Sequence, residues 1–186
     1  MIFQYKAELI FKLIWGVLLI IATVAQMRFR GKHKQRGGLI ANLLVIAPYL
    51  VVFGWFSMRG YFGAYKSSII VQLLGFTIML IGVCGYIVSI LYLKQNWAIS
   101  AAIKEGHSLV RNGPYKIVRH PMYFFMILVV LGSGLLISNY FIILYTPIVA
   151  LLYYLRSKKE EEMLKEALPE YGQYIKETKM LIPGIL

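Results

Sequence analysis

Residues 112–123 place Pro114, Tyr115, Arg119, His120, Pro121, Met122 and Tyr123 between two long apolar runs. A second polar cluster, from Arg156 to Glu162, follows the last apolar run. Pro114 and Pro121 fix their own φ and push the residues before them out of helical geometry. Pro121 suits an early helical position, and the unpaired backbone groups at such a helix start favour an anionic or polar ligand group. Arg156 offers a forked pair of hydrogen bonds that matches a carboxylate. Glu160 lies four residues on, so the two share a helix face, and an intrahelical salt bridge satisfies the same spacing. Glu161 and Glu162 read as a solvated face. Upstream, His107, Ser108, Leu109 and Val110 complete the candidates.

Other chemistries lack their residues. All 8 acidic residues are Glu. No Gly-rich fingerprint follows a strand, no P-loop is present, and no Ser/His/Asp arrangement is defensible. His33, His107 and His120 lack the partners and spacing of a metal site, so no metal is expected. The single cysteine, Cys84, sits in an apolar run and reads as a packing residue. Nothing alternates strand with helix, which excludes a Rossmann-type domain.

These residues need a membrane to position them. Of the 186 residues, 59% are hydrophobic, against about 45–50% in soluble domains. Five runs approach the roughly 20 residues a spanning helix needs: Leu9–Met27, Leu39–Met58, Ile69–Leu93, Tyr123–Ile137 and Tyr140–Leu155. The first is longer than a signal-peptide core and is read as a retained helix. The fold expected is all-α, a polytopic integral membrane protein and one domain over 1–186. Residues 1–93 supply three spans, and 94–186 supply the polar clusters. Only Ser138-Asn139 separates the last two spans, which predicts a tight helical hairpin. Gly132 and Gly134 would let its helices approach closely, and Pro147 predicts a kink.

Sixteen Lys or Arg fall in 28–36, 94–119 and the tail from Arg156, against three (Lys6, Arg59, Lys66) in the alternate connections. The bias places the C-terminus and both polar clusters in the cytoplasm and the N-terminus outside. Anionic lipid headgroups account for the +12 net charge, and nucleic acid is set aside as a partner. Trp97 suits an interfacial anchor. The tail from Ser157 to Tyr174 reads as an amphipathic helix interrupted near Pro169.

The run Gly106 to Tyr123, with Arg156, Glu160 to Glu162, Tyr171, Tyr174 and Ile182-Pro183, resembles the isoprenylcysteine carboxyl methyltransferase family. The wider group takes in phospholipid methyltransferases and parts of some sterol reductases. The match runs from near Asn96 to Pro183, and the length is similar to the compact prokaryotic form. The resemblance implies an S-adenosylmethionine pocket (S-adenosylhomocysteine as product) at the cytoplasmic ends of the last helices. His107, Ser108, Leu109, Val110, Tyr115, His120, Pro121, Met122, Tyr123 and Glu160 would contact that cofactor, and Arg156 would position an acceptor carboxylate. A lipophilic substrate would enter from the bilayer. Three other readings remain: a phospholipid or other lipid N- or O-methyltransferase, a sterol-reductase-like protein, and a membrane scaffold that is not an enzyme.

Overall fold

The computed structural model describes residues 10, 13–17, 20, 33–36, 63–96, 102–104 and 108–185. Four helices dominate them: α1 (Ile69–Leu93), α2 (Pro121–Leu136), α3 (Tyr140–Ala167) and α4 (Tyr171–Glu177). Short 3-10 turns occupy Lys94–Asn96 and Gly113–Lys116. The helical expectation needs one addition. Strand β1 (His33–Arg36) pairs antiparallel with β2 (Ala102–Lys104), joining the first basic connection to the third. Extended segments outside helices must satisfy their backbone groups, and pairing does that.

Among the described residues, α1 and α3 are long and apolar enough to cross a membrane, and α2 is shorter. Only 33% of each apolar window is buried, so most of it faces outward, as lipid contact requires. Ile70 on α1 is 74% exposed and Leu144 on α3 is 66% exposed. The expected spans at Leu9–Met27 and Leu39–Met58 lie outside the described residues, apart from helical residues 10, 13–17 and 20. Buried Trp15 donates its Nε1–H to Ser133 Oγ of α2 at 3.1 Å. His107 and Trp97 also lie outside the described residues.

Small residues fix the packing. A Cβ on Gly82 of α1 would stand 2.8 Å from Phe125 O of α2, and one on Gly132 of α2 would run into the Met79 backbone of α1. Gly132 therefore serves the α1–α2 seam, not the hairpin expected to use it. Gly134 does face α3, where its Cβ would meet Ile143 Cγ1 at 2.8 Å. The hairpin turn is Ser138-Asn139, with Ser138 at φ 55°. Asn139 caps α3 by accepting from the amides of Phe141 and Ile142 at 3.1 and 3.3 Å.

One boundary differs from expectation. The apolar run ends at Leu155, but α3 continues through Arg156 and Glu160 to Ala167 and also runs through Pro147. Hydropathy reports where the lipid ends, while helix continuity depends on breakers, and none lies between Leu155 and Ala167. The break comes at Leu168–Glu170 beside Pro169, as expected, and α4 follows.

Candidate functional site

Pro121 is the first residue of α2, and His120 before it takes φ −123° and ψ 58°. The His120 side chain does not cap the helix. Its ring instead turns toward the extramembrane end of α3. There Nδ1 lies 3.5 Å from Glu160 Oε2, and Nε2 lies 3.4 Å from Glu161 Oε1. One turn into α2, the Tyr123 hydroxyl donates to Glu160 Oε1 at 2.7 Å. Arg156 Nε donates to the same oxygen at 2.9 Å and to the Tyr123 hydroxyl at 3.2 Å. The i,i+4 salt bridge that spacing allowed is thus present, and it forms the floor of a larger assembly. Arg156 is 1% exposed.

Aromatic rings line one side. Tyr123 stacks on Tyr153 of α3 at 4.8 Å between centroids, and His120 lies nearly parallel to Tyr123 at 5.8 Å. Burial alone would lower the His120 pKa. The interaction with Glu160 first, and the negative charge of both Glu160 and Glu161, outweigh it and hold the imidazole above its ordinary value.

Glu161 corrects the sequence reading. It is buried, and its Oε1 accepts from Arg119 Nε at 2.6 Å. Glu162 is exposed, as expected. The missed signal was periodicity. Val149, Tyr153, Ser157 and Glu161 recur every four residues on one face, and all four are buried. Arg119 also donates Nη1 to the carbonyls of Ile175 and Thr178. Its amide and that of His120 donate to Lys179 O and Met180 O at 2.9 and 3.0 Å. The C-terminal segment is thereby pinned alongside residues 118–120, in a parallel bridge of Val118 with Lys179.

The other candidates divide. Met122 packs against the helical core, beside His120 and Tyr123 in sequence but with no polar role. Tyr115 is buried, and its hydroxyl donates to Ser89 O of α1 at 3.3 Å. Its carbonyl accepts from the Tyr174 hydroxyl at 2.6 Å, and burial keeps both phenols protonated well beyond their ordinary range. Tyr115 thus ties α1 to α4, and the Glu160 charge acts on it. Ser108 exchanges hydrogen bonds with Asn96, its carbonyl accepting at 2.8 Å, at the exposed edge of the third connection. Leu109 packs against Leu168, Tyr171 and Tyr174, while Val110 is half-buried. Among the described residues, four expected positions converge: His120, Tyr123, Arg156 and Glu160.

Two polar atoms here stay without hydrogen-bond partners: His120 Nε2, whose approach to Glu161 misses hydrogen-bond geometry, and the fully buried Ser157 Oγ. Buried polar groups are seldom left so, and each calls for an explanation. Residues 73–166, just over half of the chain, match the isoprenylcysteine carboxyl methyltransferase (ICMT) family. No curated protein matches the chain.

Proposed function

The chain belongs to the isoprenylcysteine carboxyl methyltransferase family, a family of membrane methyltransferases, and from that premise we propose that it transfers a methyl group from S-adenosylmethionine to a lipophilic carboxylate. The observation that carries the proposal is the meeting of His120 and Tyr123 with Arg156 and Glu160, groups more than thirty residues apart in sequence.

The residues present fit the cofactor. Carboxylates and tyrosine faces suit its cationic and hydroxyl groups. His120 Nε2, 3.4 Å from Glu161 Oε1 but without a hydrogen bond, is a buried polar atom that a ligand can satisfy. S-adenosylmethionine supplies an electrophilic methyl group on a sulfonium. Glu160 and His120 would hold it, with Glu160 kept in place by Arg156 and Tyr123. Arg156 Nε is held by Glu160 and Tyr123, which fixes the orientation of the guanidinium, and a guanidinium so placed would position an acceptor carboxylate.

Among the described residues Arg119, His120 and Arg156 meet Glu160 and Glu161 here, a charged setting suited to a carboxylate acceptor. Such an acceptor is already ionised at neutral pH, so no general base is needed. The protein's contribution is alignment in a site shielded from water, and alignment alone is worth up to about 7–11 kcal/mol. The outward apolar faces of α1 and α3 suit a greasy acceptor arriving from the bilayer. The pairing of β1 with β2 brings two basic connections to one side, which supports a cytoplasmic site with the C-terminus inside.

The test is calorimetry of the detergent-solubilised chain with S-adenosylhomocysteine, followed by labelled-methyl transfer to a membrane extract. Binding that disappears in His120→Ala and Glu160→Ala supports the methyl-donor site. Label in a base-labile ester identifies a carboxyl acceptor. Label in phospholipid amine would replace the acceptor while keeping the cofactor. No binding by folded protein would sink the proposal and favour a scaffold.

A further inference from the structure

Glu161 Oε1 lies between two cationic groups. Arg119 Nε holds it at 2.6 Å, while His120 Nε2 stands 3.4 Å away without a hydrogen bond. The Arg119 and Glu161 side chains are each 7% exposed, so the ion pair is shielded from solvent and from screening by salt. The same guanidinium grips the carbonyls of Ile175 and Thr178, beyond the end of the family match at residue 166. Backbone bonds from Arg119 and His120 to Lys179 and Met180 continue that grip. One side chain therefore ties α3, the start of α2 and the C-terminal segment together. A carboxylate between a guanidinium and an imidazole settles on the better hydrogen-bond donor. Arg119 wins that contest, which holds Glu161 at 3.4 Å from Nε2 and leaves Nδ1 directed at Glu160.

We propose that Arg119 and Glu161 are positioning residues of the methyl-donor site: together they clamp the C-terminal segment and set the His120 ring against Glu160, without touching the methyl donor. The inference rests on the function proposed above. Loss of the clamp lets residues 175–180 loosen and lets Glu161 capture His120. The KM for S-adenosylmethionine then rises, kcat at saturating donor stays near its normal value, and the KM for the acceptor does not move. Damage to the helical bundle at large would change all three.

The experiment uses the full chain in detergent, unaltered and as Arg119→Gln, Arg119→Lys and Glu161→Gln. It combines calorimetry with S-adenosylhomocysteine, hydrogen–deuterium exchange of residues 175–182, and the KM and kcat split. The expected result for Arg119→Gln is binding weakened roughly tenfold, the scale of one lost charge-assisted hydrogen bond. Exchange at 179–182 should quicken, and Arg119→Lys should recover part of both losses. If Arg119→Gln does not fold, Glu161→Gln carries the test, because it keeps an acceptor for Arg119 and removes only the charge. It should bind several-fold more weakly. A folded variant that binds as the unaltered chain does overturns the clamp alone. An unaltered chain that binds no S-adenosylhomocysteine overturns both proposals.

Discussion

Each end of the helix bundle buries polar groups, and the two ends use them in opposite ways. At the α2–α3 turn, Gln72, Ser67 and Ser138 form a neutral network. Gln72 Nε2 donates to Ser67 Oγ and Ser138 Oγ, each at 3.2 Å, and the two hydroxyls bond each other. Gly63 and Tyr65 stitch the segment before α1 to that turn. These bonds close a corner with no charged group in it, although Gln72 Oε1 is buried without a hydrogen-bond partner. At the other end, Arg119, His120, Arg156, Glu160 and Glu161 bury charge, and two buried polar atoms lack hydrogen-bond partners. Buried ion pairs add little net stability over well-packed apolar residues, because desolvation offsets their attraction. A bundle under selection for stability alone gains nothing by choosing the second arrangement. Buried charge, not the unpaired atoms found at both ends, separates the structural corner from the candidate site.

The largest effect should come from Glu160→Gln. Glutamine keeps an acceptor for Arg156 and Tyr123 but removes the charge. Affinity for S-adenosylhomocysteine should fall between about tenfold and a hundredfold, read by calorimetry. Unchanged affinity would erase the distinction between the two ends.

The second effect is a pH dependence that only the charged end can supply. His120 has a raised folded-state pKa, so its stabilising contribution is complete below the unfolded value of about 6.5. It is lost as pH rises through the folded value. The melting midpoint should therefore decline with alkalinity, by about 1.4 kcal/mol of stability for each unit separating the two values. His120→Gln should flatten that decline. Glu160 and Glu161 face the ring from α3, Tyr123 lies beside it, and Arg119 acts on it through Glu161. An equal slope in the variant would move the titrating group elsewhere.

How much of this the sequence reveals depends on what carries the signal. Pro121 announces the start of α2, and the spacing of Arg156 and Glu160 places both on one face, so that half of the site is legible. Its meeting with His120 and Tyr123 rests on family resemblance, since no local pattern encodes a contact between segments so far apart. Glu161 is hidden among three consecutive glutamates, where charge suggests solvent; its place four residues beyond Ser157 on the buried face and its partner Arg119 reverse that reading. Gly132 shows a close approach but not its partner: the nearest helix in sequence is α3, and the one it meets is α1. Tyr115 is conspicuous beside Pro114, yet it braces α1 and α4.

At the neutral end, Asn139→Ala removes the cap of α3. Such a loss costs about 1 kcal/mol, within a range of roughly 0.5–2, read as a lower melting midpoint. Binding of S-adenosylhomocysteine should stay within about twofold, because distant sites act independently. A large loss of binding would mean that the two ends are coupled through α3.

Ser157→Ala should have the smallest effect on stability and the opposite sign in the comparison. Asn139 and Ser157 are both essentially buried polar residues on or at the start of the same helix. Asn139 makes its bonds, whereas Ser157 Oγ makes none. A desolvated hydroxyl without a partner costs about 1–3 kcal/mol, and alanine relieves that cost while leaving a gap of one oxygen. The two contributions nearly cancel, so the melting midpoint should hold or rise slightly. If the hydroxyl is unpaired because a ligand completes it, the same variant should bind S-adenosylhomocysteine several-fold more weakly. Stability held while affinity falls is the signature of a group kept for binding. Should Ser157→Ala instead lower stability and spare binding, as Asn139→Ala is expected to do, the unpaired hydroxyl would lose its place in the argument for a site.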